Sequence, residues 1–180
     1  MATYQDIKGL KVKYLSADPS NLVGGDVWYN SASNTFKGVV LSEAWSSASP
    51  LSTPVFQNSG TGIQTASLSV NGGTGPPAGY RTATEEYNGT GWSTGGVTTY
   101  TNGYGGASGT QTAALAGGGD GNTPGACDEY DGTTWTGAGA LSVDAYQSKF
   151  AGTQTATVAA GLYHSAEAYE YNGTAWTATG

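Results

Sequence analysis

The sequence contains few of the residues from which most active sites are built. Cys127 is the single cysteine and His164 the single histidine among 180 residues. One cysteine can form neither a disulfide within the chain nor a cysteine-based zinc site. Catalysis requires clustered ionisable groups, whereas we expect His164 in an exposed loop and Cys127 at a packing position. We therefore predict that the chain is not an enzyme and has no catalytic residue, no metal site and no cofactor.

Charge is also scarce, and it is unevenly distributed. Only 11% of the residues are charged. Residues 1–37 contain four lysines against three aspartates, whereas residues 38–180 contain two basic residues against ten acidic ones. Because an acidic surface repels the phosphate backbone, we expect no binding of nucleic acid.

Long apolar segments and strong helix formers are missing as well. No stretch approaches the ~20 apolar residues of a membrane-spanning helix, and the opening stretch "MATYQDIKGLKVKYL" lacks the apolar core of a signal peptide. Thirty glycines, together with many threonines, serines, tyrosines and valines, are typical of short strands joined by tight turns. The composition predicts an all-β fold without a membrane span.

An internal repeat dominates the chain after residue 38. Tryptophans stand at positions 45, 92, 135 and 176, and a glutamine follows each of the first three at a constant interval, at positions 64, 111 and 154. Tyrosines at 87, 130 and 171 each precede a tryptophan by five positions, whereas the interval from glutamine to tyrosine shortens from repeat to repeat. Constant spacing indicates paired strands, and variable spacing indicates a loop that tolerates insertion.

Each repeat is interpreted as short strands closed by a hairpin. Alternating side chains in "QTASLSV" and "QTATVAA" predict one strand, to which "GTQTAAL" corresponds in the second repeat, and "TATEEY", "ACDEY" and "AEAYEY" predict the next. The Asn-Gly or Asp-Gly that follows predicts a type I′ turn, in which both central residues have positive φ. The tyrosines and tryptophans are then structural anchors of the repeat: Trp45, Tyr87, Trp92, Tyr130, Trp135, Tyr171 and Trp176.

A period of about 41–47 residues with roughly four strands is typical of a β-propeller blade. The repeats resemble kelch repeats through Leu115-Ala116-Gly117-Gly118, Tyr130 and Trp135. They depart from the kelch pattern in the closer spacing of tyrosine and tryptophan and in the third repeat, which has Ala159-Ala160-Gly161. The resemblance implies a kelch-like β-propeller with three hairpin units and a half unit, placed at about residues 38–58 (partial), 59–96, 107–139 and 150–180.

Three units and a half are fewer than a closed propeller usually needs, since propellers have four to eight blades. The sequence is therefore interpreted as a fragment of a longer repeat array. The alternative is that oligomerisation, or the N-terminal region, closes the structure.

Residues 1–37 lie outside the repeat and form a predicted N-terminal β docking segment. "LKVKYL" alternates like a strand, and a hairpin is predicted around residues 31–34. The segment resembles N-terminal parts of structural proteins from tailed, especially marine, bacteriophages, in which a phrase of the form G-x-V/I-W-Y-N-S/T-x-x-N-x-x-K recurs. The matching residues are Gly25, Val27, Trp28, Tyr29, Asn30, Ser31, Asn34 and Lys37.

This resemblance implies a non-enzymatic structural protein of a virion, in a tail fibre, another tail appendage or a head decoration, with a possible role in host attachment. Such a protein would be made in the host cytoplasm without a signal peptide, would contact other virion proteins, and is expected to form a homo-oligomer. The alternative function is a lectin-like propeller that binds a cell-surface glycan. Variable loops often carry binding residues, and the candidates there are Tyr80, Arg81, Tyr163 and His164.

Overall fold

The computed structural model describes residues 12–23, 26–39, 47–75, 79–121, 123–163 and 165–179. These residues form strands and turns and contain no helix, which confirms the all-β prediction. A helix able to span a membrane is therefore also absent from the described ranges. The chain divides into two compact units, with the division between Ser47 and Ala48.

The N-terminal unit contains a three-stranded sheet in the order β1-β2-β3. Its strands are β1 (Lys13–Leu15), β2 (Val27–Asn30) and β3 (Thr35–Gly38). The β1 strand is parallel to β2, and β2 forms an antiparallel hairpin with β3, as the sequence predicts for residues around 31–34. The Asn30 side chain closes this hairpin by accepting hydrogen bonds from the backbone amides of Ala32 and Ser33.

The repeat unit contains three antiparallel sheets of four strands, one per repeat. We call them the first, second and third repeat sheets. The first consists of β4 (Ser59–Ile63), β5 (Ala66–Val70), β6 (Thr84–Tyr87) and β7 (Trp92–Thr94). The second consists of β9 (Gly106–Thr110), β10 (Ala113–Gly117), β12 (Cys127–Tyr130) and β13 (Trp135–Gly137), and the third of β14 (Lys149–Thr153), β15 (Ala156–Ala160), β16 (Ala168–Tyr171) and β17 (Trp176–Thr179).

A short two-stranded sheet is formed by residues from the connections of the first two repeats. It pairs β8 (Asn102–Gly103) with β11 (Asp120–Gly121). The initial strands of the repeat sheets are neighbours, since β9 contacts both β4 and β14. No repeat sheet is closed on itself, and the described residues thus form a row of three open sheets.

The repeated tyrosine and tryptophan face each other across the hairpin. Tyr87 pairs with Trp92, Tyr130 with Trp135 and Tyr171 with Trp176, and their ring centroids are 5.1, 4.7 and 5.0 Å apart. The predicted type I′ turn is wrong. Four residues separate each pair, and only the glycine that follows the asparagine or aspartate has positive φ, as at Gly89 with 88°. The Asn88 side chain instead accepts hydrogen bonds from the amides of Thr90 and Gly91, which forms an Asx turn.

Two apolar clusters fill the space between neighbouring sheets. Leu68 and Val70 of the first sheet pack with Ala114, Tyr130 and Trp135 of the second. Between the second and third sheets, the cluster consists of Leu115, Cys127, Leu141, Ala145, Ala159, Leu162, Tyr169 and Tyr171. The tyrosine anchors therefore stabilise the contact between successive repeats as well as their own hairpin.

The repeated glutamine also joins successive sheets. The Gln111 amide donates to the carbonyl oxygens of Ser67 at 3.2 Å and Tyr87 at 2.8 Å. The Gln154 amide makes the same pair of bonds to Ala114 at 3.3 Å and Tyr130 at 2.7 Å. This explains the constant interval between tryptophan and glutamine, because the glutamine must reach a particular pair of carbonyls in the preceding sheet.

A tyrosine–carboxylate hydrogen bond accompanies each glutamine bridge. The Tyr130 hydroxyl donates to Glu86 of the preceding sheet, and the Tyr171 hydroxyl donates to Glu129 at 2.9 Å. Burial, followed by the bond to the carboxylate, raises the pKa of Tyr130 and of Tyr171 to about 12. Glu86 and Glu129 thus act as acceptors that fix one sheet against the next.

Candidate functional site

The connections into the initial strands of the repeats bring polar and aromatic side chains together. Gln57, Tyr104 and Gln147 occupy equivalent positions, and all three have left-handed backbones, with φ of 59°, 61° and 62°. Such a conformation is uncommon for residues other than glycine, asparagine and aspartate, and it is often found at functional sites. The Gln57 amide donates a hydrogen bond to the Tyr104 hydroxyl, which links the first two repeats.

The rings of Tyr104, Tyr146 and Tyr163 contact one another in sequence and form a tyrosine row. The ring centroids of Tyr104 and Tyr146 are 4.9 Å apart at an interplanar angle of 61°, and those of Tyr146 and Tyr163 are 5.0 Å apart at 84°. Both are edge-to-face arrangements, which aromatic rings prefer. The Tyr163 amide donates to the Tyr146 carbonyl at 3.0 Å, so backbone as well as ring contacts hold the row.

Tyr80 joins the same group from the long loop of the first repeat. Its hydroxyl lies 3.2 Å from an Asp120 carboxylate oxygen and 3.4 Å from the Gln57 side-chain oxygen. Its ring lies against Gly103, where a Cβ atom would overlap the ring. Burial and the negative charge of Asp120 raise the pKa of Tyr80.

A cavity of about 280 Å³ opens beside the tyrosine row, lined by Asp120, Pro124, Asp144, Tyr146 and Tyr163. Aromatic rings supply flat apolar faces, and the two carboxylates supply hydrogen-bond acceptors. No lysine or arginine is among these lining residues. We call Tyr80, Tyr104, Tyr146, Tyr163, Asp120 and Asp144 the aromatic–acidic cluster; it is suited to a small neutral ligand rich in hydroxyl groups.

Three of the four predicted ligand-binding residues are described by the structure, which brings two of them together. Tyr80 and Tyr163 belong to the cluster, whereas Arg81 has a structural position: its backbone pairs with Asn102, and its Nε atom is buried without a hydrogen-bond partner. His164 lies outside the described residues.

Sequence reasoning missed Tyr104 and Tyr146. A signal for Tyr104 was present, because the intervals from Gln57 to Tyr104 and from Tyr104 to Gln147 equal those between successive tryptophans. These three positions therefore repeat in step with the strands, although tyrosine replaces glutamine at the middle one.

The predicted repeat anchors have structural roles, and their environments differ. Tyr130, Trp135 and Tyr171 are buried, whereas Tyr87, Trp92 and Trp176 are half-buried. Trp45, like Gly25 of the N-terminal phrase, lies outside the described residues. The Trp92 indole donates to the Ser49 carbonyl at 3.1 Å, which ties residues 48–55 to the first repeat sheet.

Two further ionisable groups, Cys127 and Asp128, are buried and have structural positions. Cys127 is buried, and burial raises its pKa to about 11, so the thiolate needed for nucleophilic chemistry is disfavoured. Buried Asp128 accepts hydrogen bonds from the amide of Thr99 at 2.6 Å and from its hydroxyl at 2.7 Å. The described residues include no group of three or more His, Cys, Asp or Glu side chains arranged to hold a metal ion.

The N-terminal unit has a second feature of interest, an exposed row of rings. Tyr14, Tyr29 and Phe36 are directly paired across β1, β2 and β3. Their ring centroids are 5.0 and 5.2 Å apart, yet Tyr14 and Phe36 are 73% and 71% exposed. We call these three residues the aromatic row.

A polar hub holds the alternate side chains of the same strands. The Asp18 carboxylate accepts hydrogen bonds from the Trp28 indole at 3.0 Å and the Asn30 amide at 2.7 Å, and pairs with the Lys37 ammonium at 2.6 Å. These bonds, with the Lys37 bond largest, lower the pKa of Asp18 to about 2. Trp28, Asn30 and Lys37 all belong to the phrase at residues 25–37 that the sequence analysis singled out, so these residues of the phrase form one local structure around Asp18.

Comparison with known proteins shows the kind of fold but not a family. No family model matches the chain, and no curated protein matches it. A solved structure described as "Structure of YjhT" superposes with a TM-score of 0.56 at 12% sequence identity. The match covers 86% of this chain and 51% of that chain, so this chain spans about half the length of the protein that it resembles. At this identity the likeness concerns the fold alone, an all-β architecture of several antiparallel sheets.

Proposed function

We propose that this chain is a non-enzymatic structural protein of a bacteriophage virion, in a tail appendage, a fibre or a head decoration. The N-terminal unit attaches it to the particle, and kelch-like repeats, arranged as blades of a β-propeller, face outward with a role in host attachment. The aromatic row is the observation that carries the proposal.

The aromatic row supports attachment because its rings pack against one another while Tyr14 and Phe36 remain exposed to solvent. A small sheet needs a hydrophobic face or a packing partner for independent stability. Burying exposed aromatic side chains against another protein is strongly favourable, and aromatic residues are enriched at protein interfaces. The Asp18 hub fixes the strands that bear the row, and the three partners of Asp18, which are Trp28, Asn30 and Lys37, belong to the phrase that resembles phage structural proteins.

The first test is whether the protein is part of a particle. Phage particles that carry the gene are purified by density gradient and analysed by quantitative mass spectrometry. We expect the chain at a fixed copy number per particle, and antibodies against the repeat sheets should label the outside of the particle in electron micrographs. Absence of the chain from particles that are otherwise complete would overturn the proposal.

A second candidate function, binding of a glycan, is favoured by the aromatic–acidic cluster. Binding pockets combine apolar and aromatic walls with a few placed polar groups, and this cavity has two tyrosine rings and two carboxylates. Asp120 and Asp144 would accept hydrogen bonds from sugar hydroxyls, and their charge would repel an anionic sugar. A neutral saccharide is the ligand that this chemistry selects.

The test of glycan binding uses a panel of neutral and anionic oligosaccharides with the full chain. We expect binding to neutral members only, measured by calorimetry, and its loss in Tyr146→Ala. The matched control is Tyr14→Ala, an exposed tyrosine of the N-terminal unit, which should bind as the wild type does. Preference for anionic sugars, or equal loss in both variants, would contradict a site at this cavity.

A further inference from the structure

The three repeat sheets differ in how well one of their faces is covered. We call the face that meets the following sheet the forward face, and the face that meets the preceding sheet the rear face. Leu68 and Leu115, on the forward faces of the first two sheets, are 1% and 0% exposed, whereas the equivalent Val158 of the third sheet is 41% exposed. The third sheet therefore presents an apolar position of the same kind without a cover among the described residues.

The polar contacts that a covering sheet would make can be inferred from the two contacts between successive sheets within the chain. Each internal contact uses a glutamine amide that donates to two carbonyls and a tyrosine hydroxyl that donates to a glutamate. On the third sheet, the equivalent acceptors are the carbonyls of Thr157 and Tyr171 and the carboxylate of Glu170. Glu170 is exposed, whereas Glu86 and Glu129 are half-buried.

The first sheet carries the complementary donors on its rear face. Gln64 is equivalent to Gln111 and Gln154, and Tyr87 is equivalent to Tyr130 and Tyr171. The Gln64 side chain is exposed and has no hydrogen bond to another residue in the part of the chain that the structure describes, whereas Gln111 and Gln154 are half-buried and bonded. Tyr87 is half-buried, whereas Tyr130 and Tyr171 are buried.

We propose that the forward face of the third repeat sheet binds the rear face of the first repeat sheet in a second copy of this chain. Gln64 of the second copy donates to the Thr157 and Tyr171 carbonyls, and its Tyr87 hydroxyl donates to Glu170. The two copies make this contact reciprocally, which closes a ring of six sheets. A head-to-tail contact of this kind forms a finite ring when its rotation closes, and a filament when it does not.

Two further observations favour a pair of copies. Both halves of the unfilled contact are present in one chain, so identical copies are sufficient to complete it. Two chains supply six sheets, within the four to eight that closed propellers use.

The net charge of the chain predicts how the affinity of the dimer should depend on salt. The expected dependence differs from that of a contact held by opposite charges, which salt would weaken. Each chain has a net charge of −7, so two copies repel each other at long range. Salt screens this repulsion, while the apolar and hydrogen-bonded contact is less affected. The dimer is therefore expected to become tighter as ionic strength rises.

The test measures the mass of the full chain by sedimentation equilibrium. We expect a dimer for the wild type, and a monomer for Val158→Asp, which places a charge in the proposed contact. Because Val158 is exposed within one copy, this variant should remain folded as a monomer. The matched control is Val97→Asp, since Val97 is 62% exposed and lies in the connection between the first and second sheets, where the dimer should persist.

A second pair of variants separates association from folding. Gln64→Ala should weaken the dimer at least tenfold without lowering the stability of the monomer, whereas Gln111→Ala should lower stability, because its bonds are internal. A monomeric wild type, a series of ever larger masses, or a Val158→Asp variant that remains dimeric would each overturn the proposal. The outcome does not depend on whether the protein is found in virions or binds a glycan.

Discussion

The N-terminal unit and the repeat sheets use the same aromatic residues in opposite ways. In the second repeat sheet, Tyr130 and Trp135 stack at 4.7 Å and are 1% and 6% exposed. In the N-terminal sheet, Tyr14 and Tyr29 stack at 5.0 Å, yet Tyr14 is 73% exposed. Ring contact alone therefore does not reveal a role. Burial between two sheets indicates a folding anchor, and exposure on one sheet leaves the rings free for a partner.

The largest effect should come from removing a buried anchor. Trp135→Ala leaves a cavity between the first and second repeat sheets, and truncation of a buried aromatic costs about 3–5 kcal/mol. We expect a loss of this size in the free energy of unfolding, measured by urea denaturation. Trp92→Ala is the comparison, because Trp92 is only half-buried and should lose less. Equal losses at the two positions would show that burial between sheets is not what distinguishes the anchors.

A smaller effect is expected from the polar part of the same contact. Tyr130→Phe keeps the ring but removes the hydrogen bond to Glu86, and bonds to charged groups contribute about 1.5–3 kcal/mol. Tyr87→Phe is the matched control, because no described residue of its own chain accepts a hydrogen bond from its hydroxyl. Both are measured by urea denaturation in the Val158→Asp background, so that association does not contribute. A similar loss in both variants would assign the effect to the ring environment instead of the bond.

The same hydroxyl predicts a response to alkaline pH. The pKa of Tyr130 is about 12 in the folded chain and about 10 when unfolded. Between these values the unfolded state loses the proton first, so the wild type should lose stability as pH rises from about 10 towards 12. Tyr130→Phe should show a shallower loss over that range in a series of urea titrations. An unchanged slope would mean that the hydroxyl is not held as the structure indicates.

A still smaller effect, confined to the N-terminal unit, is expected from its polar hub. The pKa of Asp18 is about 2 when folded, against 3.8 ordinarily. Its contribution is fully present above about pH 4 and is lost as pH falls through 2, because the proton displaces the bonds to Lys37, Asn30 and Trp28. Asp18→Asn should imitate this loss at neutral pH. Amide hydrogen exchange should become faster in residues 12–39 and remain unchanged in the repeat sheets; faster exchange in both would contradict a separate unit.

Much of the fold could be predicted from the intervals between repeated residues, because a constant interval indicates residues that pair or contact one another in every repeat. The constant interval between tryptophan and the next glutamine reflects a side chain that must reach two carbonyls in the preceding sheet. The interval between Tyr130 and Trp135 reflects two paired residues and the four-residue loop between them. The turn type was not predictable in this way, since Asn-Gly also suits an Asx turn with one glycine at positive φ.

The candidate site was harder to predict, because it depends on which loops meet. Tyr80 and Tyr163 were identified from variable loops, but the neighbouring Arg81 proved to be held by backbone pairing. Tyr104 and Tyr146 come from connections that carry no shared motif, and their proximity arises only when successive sheets are packed side by side. The exposure of the aromatic row could likewise not be predicted from the alternating pattern of its strands, since alternation does not show which face of a sheet another element covers.

Attachment through the aromatic row is tested by the particle occupancy of a double variant, Tyr14→Ser with Phe36→Ser. Both rings are exposed, so the free energy of unfolding should hardly change. If the aromatic row attaches the protein to the virion, the variant chain should be folded but absent from purified particles, while Val97→Ser, an exposed residue of the repeats, should be incorporated as the wild type is. Incorporation of the double variant at the wild-type copy number would show that the aromatic row is not the attachment surface.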